Sequence, residues 1–474
     1  MKNRIFITFL MFICLFGFSE FVFAGKSENL STANKVSQVT IEAKEEIISE
    51  ASEPGEVDPG EMVDNMINEY LNIGRGKAVR EKISKDGGWI GSATAEVSVG
   101  PENPNWAKYR VMAYEKALID IENQYLTTQN QTIKAEKIKG FFKNASDVVP
   151  DFEPKDMGDP NKVRVLLDKL LAVSEGKLDK TLDELGIDKE QFNRTPRPQR
   201  HTLLSEHLSK STVVESIGSL AGLIPIQTFE GFNPQKEHVL GVVCVVTPKI
   251  KQFAYDILHN RGQLKPYKKK GKNLYELFSK DDNLLIDQFG IRKMKDKDGY
   301  PVLISFGQWA NSKKTGDKRT IRRYRKAAKK QAASSAKNQI ALFLAGNSMF
   351  QSNTDIGEQF EESYKVHSDN YKEQNIINSI MDGIREKSKS KAKITMSGLV
   401  QLYSWTAKHP QYGHEIVGVV MKWSPRDEKQ ARGLREWKPE RNKTIGIKSS
   451  SPKKRLKGHS GTKTGKEYMG LDDL

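Results

Sequence analysis

The sequence predicts an α+β fold made of two duplicated units, each a small antiparallel sheet packed on a long helix. Three observations carry this expectation. GLIPIQTFEGFNPQKEHVLGVV, from Gly222 to Val243, is echoed by GLVQLYSWTAKHPQYGHEIVGVV, from Gly398 to Val420. Gly222-Leu223 matches Gly398-Leu399, and Pro234-Gln235 matches Pro410-Gln411. Gly241-Val242-Val243 matches Gly418-Val419-Val420 after one extra residue, most simply Gly413. Upstream, Arg110, Ala113, Ala117, Asn123 and Gln124 align without a gap on Arg325, Ala328, Ala332, Asn338 and Gln339. A strand-like stretch precedes each of these helices. Helix and hairpin recur in the same order, which favours internal duplication over coincidence.

At 474 residues the chain is too long for one hydrophobic core. Hydrophobic residues are 37% and charged residues 29%, so globular parts are expected beside polar segments that cannot bury themselves. The first residues read as a targeting signal. Lys2 and Arg4 precede an apolar run from Ile5 to Phe18, then Val22-Phe23-Ala24 stand before Gly25. This is the pattern of a signal peptide cleaved at Ala24/Gly25, too short for a membrane span of about 20 residues. No later stretch is long and apolar enough to cross a membrane, so an exported, periplasmic protein is expected. Of the two cysteines, Cys14 leaves with the signal. Cys244 lies between valines and reads as a small buried apolar side chain, with no motif for a catalytic thiol.

After the signal (1–24), residues 25–60 form an acidic leader with too few large apolar groups to order itself. In a lead-in at 61–88, Met62, Met66, Ile67, Tyr70 and Leu71 recur at helical spacing, with Asp58-Pro59 as a start and Gly74 as a stop. Unit one spans 89–250. Ala93, Ala95, Val97 and Val99 alternate with polar residues as in a half-buried strand. Asn103-Pro104 offers a helix start, and Ala107, Val111, Tyr114, Leu118, Ile121 and Tyr125 mark one broad apolar side. Alanines four apart let such a helix lie close on a sheet. From Asn123 to Gly222 the interval is 99 positions, against 60 from Asn338 to Gly398, so unit one holds an insertion of about forty residues. Its expected place is 147–201, where Val163, Leu166, Leu167 and Leu170, then Leu178, Leu182 and Leu185, mark two amphipathic helices.

A basic connector (251–300) carries Lys268, Lys269, Lys270 and Lys272. Unit two spans 301–425: a strand from Val302 to Ala310, Asp317 as a cap, a helix to about Gly346, and a polar helix over 355–390. From 426 to 474 the chain reads as a basic, disordered tail, with Lys453, Lys454, Arg455 and Lys457 in a stretch free of acids.

Catalytic signatures do not emerge. His409 and His414 bracket the second turn with only His238 matching in unit one, and no carboxylate or thiolate cluster completes a metal site. Gly74-Arg75-Gly76-Lys77 lacks the third glycine of a dinucleotide fingerprint, and GTKTGK from Gly461 has the wrong spacing for a phosphate loop. No cofactor is therefore expected. The distinctive charge lies at the start of the unit-two helix, where Arg319, Arg322, Arg323 and Lys326 stand at the end the helix dipole reserves for anions. With Lys453, Lys454, Arg455 and Lys457 they are the candidate anion-binding residues.

With Ala113, Ala117 and Asn123, then Ala328, Ala332 and Asn338, each followed by its hairpin, both units resemble a bacterial envelope module. That module, a strand, an Ala-rich helix and a hairpin, occurs in small outer-membrane lipoproteins and in the N-terminal part of a flagellar-assembly protein. The whole also resembles an uncharacterised family of exported bacterial proteins. The chain departs from the lipoproteins in lacking a lipidated cysteine. The resemblance implies an envelope setting and an α+β sandwich, and it carries no catalytic residue across. The expected function is a non-enzymatic binding or assembly component with an envelope protein partner. The alternatives are a binder of polyanions (nucleic acid, anionic lipid or polysaccharide) through the basic helix and tail, or an enzyme with a site between the units.

Overall fold

The computed structural model describes residues 58–437, apart from 147, 174–176, 260–262, 278–281, 314–315, 350–352, 368–372 and 384–397. The expected signal peptide, the expected leader to residue 57 and the expected tail beyond 437, with Lys453, Lys454, Arg455 and Lys457, lie outside the described residues. The fold is mixed helix and sheet, with two small antiparallel sheets. Among the described residues no helix is long and apolar enough to cross a membrane.

Asp58 caps α1 (Pro59–Asn72), its carboxylate accepting from Gly60 N at 2.8 Å. Gly74 turns the chain at a φ of +57°, and a second helix follows at once, α2 (Gly74–Lys85). Sheet one has the order β1 (Trp89–Glu96), β3 (His238–Val246), β2 (Ile224–Phe232), so the last strand in sequence is central. Every residue of β3 is buried because both faces are covered. Val239 and Val243 pack with Val63, Met66 and Ile67 of α1. Leu240, Val242 and Cys244 face the other way, into the cluster that holds α3 (Trp106–Ala145). The continuous apolar run of β3 follows from this double cover. Each such side chain contributes roughly 1.5–3 kcal/mol by leaving water.

Sheet two has the order β4 (Gly290–Lys295), β5 (Pro301–Asn311), β7 (Glu415–Trp423), β6 (Leu399–Lys408), again with the late strand inside. One face carries α9 (Lys318–Met349), with Ala332 and Ala336 buried against it. A Cβ at Gly307 would stand 2.0 Å from Ala332 O, so the small residues do let backbone meet backbone. The other face contributes Val302, Ile304, Phe306, Ile416 and Val420 to the same cluster as α3 and sheet one. The first half of α3 therefore lies between the two sheets.

Gly241 and Gly418 answer to close approaches, neither of them from the Ala-rich helices. A Cβ at Gly241 would meet Val63 and Ile67 of α1 at 2.5 and 2.9 Å, and one at Gly418 would enter the Trp405 indole at 1.9 Å. Neither sits at a bulge; the register shifts lie at Pro225/Gln227 and Gln401/Tyr403. Gly222 and Gly398 have a common reason. Both have positive φ, +77° and +84°, and each lies under the start of a helix that follows its hairpin. For Gly222 that helix is α8 (Pro248–His259), and for Gly398 it is α12 (Pro425–Glu436). Residues 426–436, expected in the tail, thus belong to a helix. Asp427 N donates to Ser424 Oγ (3.2 Å), and buried Glu428 accepts from Trp423 Nε1 (3.1 Å).

Two further differences concern element ends. Asn103 does not cap α3: the helix follows Asn105, whose side chain makes no cap bond, and Asn103 Oδ1 accepts from Asn105 N instead. β4 lies in the expected connector; its sequence, GIRKMK, has too little alternation to announce a strand.

The expected insertion, 147–201, holds α4 (Pro160–Leu171), α5 (Asp179–Leu185), α6 (Lys189–Arg194) and the start of α7 (Arg197–Gly218). These close on Ile138, Phe141 and Phe142 of α3 as a separate hydrophobic cluster. The polar helix expected over 355–390 is two helices, α10 (Asn353–His367) and α11 (373–383). Phe360, Ile376, Ile377 and Ile380 pack there with Tyr125, Val213 and Ile217.

Candidate functional site

Asp317 starts α9 as the sequence predicts, accepting from Arg319 N (2.8 Å) and Thr320 N (3.0 Å). Arg319, Arg322, Arg323 and Lys326 follow at spacings of three and four, which sets them on one face. All four are exposed, and none has an ion pair among the described residues. Arg325, on the flank, behaves otherwise. It forks onto Glu415 at the head of β7, with Nε–Oε1 at 2.7 Å and Nη2–Oε2 at 2.5 Å, and Asn311 Nδ2 donates to the same carboxylate (2.7 Å). Burial would raise the Glu415 carboxyl, but Arg325 and Asn311 outweigh it and hold it low. The result is a basic ridge anchored at its inner edge and open along its outer one.

The sequence matched Arg110 to Arg325, and the structure gives Arg110 the same kind of partner in a different setting. Arg110 is 1% exposed. Its Nε donates to Glu230 Oε2 at 2.8 Å, its Nη2 to Glu230 Oε1, and its Nη1 to Ile286 O at 2.7 Å. The guanidinium stacks over Trp106 and Phe289, 4.8 and 4.3 Å from the ring centroids. Trp106 Nε1 donates to His238 Nδ1 (3.0 Å), so the His238 proton lies on Nε2, which donates to Glu230 Oε2 at 2.9 Å. Burial would push Glu230 up, but the Arg110 charge and the bonds from His238 and Arg110 hold it well below the usual carboxylate range.

His409 and His414 come to the same place. Their ring centroids are 4.8 Å apart, and both contact Trp106, at 5.0 and 6.2 Å. Burial and then the Arg110 charge lower the His409 imidazole. The three histidines thus gather on one indole, a meeting that the sequence could not announce because Trp106 and His238 are 132 positions apart. Among the described residues no group of three or more His, Cys, Asp or Glu is placed to hold a metal ion. Chemically this is a seam: hydrogen bonds linking Arg110, Glu230, His238 and Trp106 tie the first hairpin to the start of α3, and the ring contacts of His409 and His414 with Trp106 bring in the second. The other matched pair, Gln124 and Gln339, reaches a strand in each case, Gln124 Nε2 to Ser92 O and Gln339 Nε2 to Phe306 O.

Residues 163–259 match the family model of a domain of unknown function, DUF6844. The matched span runs from α4 to the end of α8, so it takes in the insertion helices together with the first hairpin. No curated protein matches the chain. Among solved structures it is similar to the 2.3 Å crystal structure of a hypothetical protein from Francisella tularensis, with a TM-score of 0.50 and 22% identity. That likeness covers 79% of this chain and 93% of the other. At such identity the likeness is one of fold.

Proposed function

We propose that this protein is an exported, periplasmic component of the bacterial cell envelope that binds or assembles with other envelope proteins, without catalysing a reaction. The ridge on α9 carries the reading. Arg319, Arg322, Arg323 and Lys326 are exposed and lack an anionic partner among the described residues, and Tyr324 beside them is 49% exposed. Arg and Tyr dominate the energetics of protein interfaces. Like charges at a helix N-terminus also oppose its dipole, and an acidic partner surface relieves that repulsion. The exported setting rests on the signal-like residues 1–24 and on the resemblance of each strand–helix–hairpin unit to the envelope module. The reading of the two units as a duplication draws support from Gly222 and Gly398, each under a helix that begins at a proline, Pro248 or Pro425.

The test is recovery of partners from an envelope extract with the full chain at low and high salt. Binding is expected to fall about tenfold or more as salt rises, and to be lost when Arg319, Arg322, Arg323 and Lys326 are all changed to Glu. Undiminished recovery by that variant overturns the assignment of the ridge. Nucleic acid as the sole bound species overturns the protein-partner reading in favour of polyanion binding. Retention of the chain in the cytoplasm removes the envelope setting.

A further inference from the structure

A cleft of about 600 Å³ opens to solvent between β1, the flank of α3 and the start of α11. That is the size range of small-molecule sites, about 300–1,000 Å³. Trp89 and Gly91 stand on the strand side, Asp120, Asn123 and Gln124 on α3, and Gln374 on α11.

Comparison of the two sheets shows why the cleft is there. Gln124 Nε2 donates to Ser92 O at 3.0 Å, and Gln339 Nε2 donates to Phe306 O at 3.5 Å. These carbonyls occupy the same register, Ser92 opposite Val243 and Phe306 opposite Val420, the last residues of the two Gly-Val-Val runs. In sheet two the neighbouring residue is Ser305, whose Oγ donates to Gln339 Oε1 at 2.7 Å, and Gln339 is 5% exposed. In sheet one the same place is held by Gly91. Among the described residues no hydroxyl meets the Gln124 amide oxygen, and Gln124 is exposed. The closed clamp of one sheet is an open one in the other.

Gly91 has a second effect. A Cβ there would come within 2.2 Å of the Trp89 ring, so the glycine lets the indole fold across the strand and become a wall of the cleft. Tyr125 fixes that indole edge-on, 5.1 Å between centroids. On α3, Asn123 Oδ1 is buried without a hydrogen bond among the described residues. Asp120, one turn earlier, has no ion pair among them. Gln374 is engaged within the fold, bonded to Thr127 and, through Nε2, to Asn378 at 3.1 Å.

The site therefore presents one aromatic face and two reachable hydrogen-bond acceptors, the Asp120 carboxylate and the Gln124 amide oxygen, with the buried Asn123 Oδ1 behind them. None of its lining residues is Lys, Arg or His, which disfavours phosphate or carboxylate ligands. A matching ligand brings several hydroxyl donors and an apolar C–H face. We propose that the cleft binds a neutral saccharide, one ring lying on Trp89 with its hydroxyls donated to Asp120 and Gln124. A single carboxylate on a chain of net charge +16 makes an organic cation the weaker match. The assignment is independent of the ridge and of its partner.

Titration of the full chain with chitotriose, cellotriose and maltotriose, followed by tryptophan fluorescence and calorimetry, tests this. At least one is expected to bind below about 10 mM, and Asp120→Ala and Trp89→Ala each to weaken it about tenfold or more. Trp89→Phe is expected to keep most of the affinity, and Gly91→Ser, which copies the closed clamp, to remove it. Asp120 is partly exposed on a helix, so its variant remains informative if Trp89→Ala fails to fold. Binding is also expected to survive the four ridge substitutions. No binding by any of the three sugars, affinity unchanged in Asp120→Ala, or binding of spermidine in their place overturns the assignment.

Discussion

His409 shows what one residue contributes to this fold. Burial and the nearby Arg110 charge hold its imidazole below the ordinary value of 6.5. The unfolded chain therefore takes up a proton first, and stability rises with pH through that window. The contribution is complete above about pH 6.5 and declines as pH falls toward the folded value. Glu230 acts in the same sense at lower pH: its stabilisation is present above its ordinary 4.5 and is lost as pH falls through the depressed folded value. The melting temperature is expected to drop between pH 7 and pH 5, and by less in His409→Asn. Equal drops in the two proteins would place the titration elsewhere. Removing Arg110 instead would strand the Glu230 charge, at a cost of about 3–5 kcal/mol.

Among elements, the hairpins bear the clearest signature. A Cβ at Gly418 would lie inside the Trp405 indole, so Gly418→Val must displace a ring that is 3% exposed. Overpacking of this kind costs about 1–3 kcal/mol or more. The variant is expected to melt lower, and Trp405→Ala on the same background to recover part of the loss; additive losses would show that the two residues do not meet. These strands and helices were legible because their periodicity is local: Ala328 and Ala332 on the helix, Val302 to Ala310 on the strand. β4 was not, since Arg292, Lys293 and Lys295 break its alternation, and pairing with β5 is what makes it a strand. At the candidate sites, the four ridge residues could be read from their charges and spacing. The Trp106 seam and the Trp89 cleft could not, because their members come together only when distant segments fold: Trp106 with His238, and Trp89 with Gln374.

At the scale of the whole molecule, the sequence predicts two units with a connector, while the packing joins both sheets in one hydrophobic cluster around α3. Val242 on β3 and Val420 on β7 belong to it together. The described sheets are therefore expected to lose hydrogen-exchange protection in one step, with the amides of β3 and β7 opening at the same denaturant concentration. Two separate openings would show that each sheet keeps a core of its own.

α3 serves more than that shared cluster. It is one uninterrupted helix of 40 residues, about 60 Å from end to end. Its first half is clasped by the sheets and its second half by the insertion helices. A helix held at both ends is a stiff beam. A pull or twist applied to the insertion has no hinge within α3 to absorb it, since bending the rod means breaking its hydrogen-bond ladder. Mechanical load at the insertion is therefore expected to reach the Trp106 seam through α3 itself.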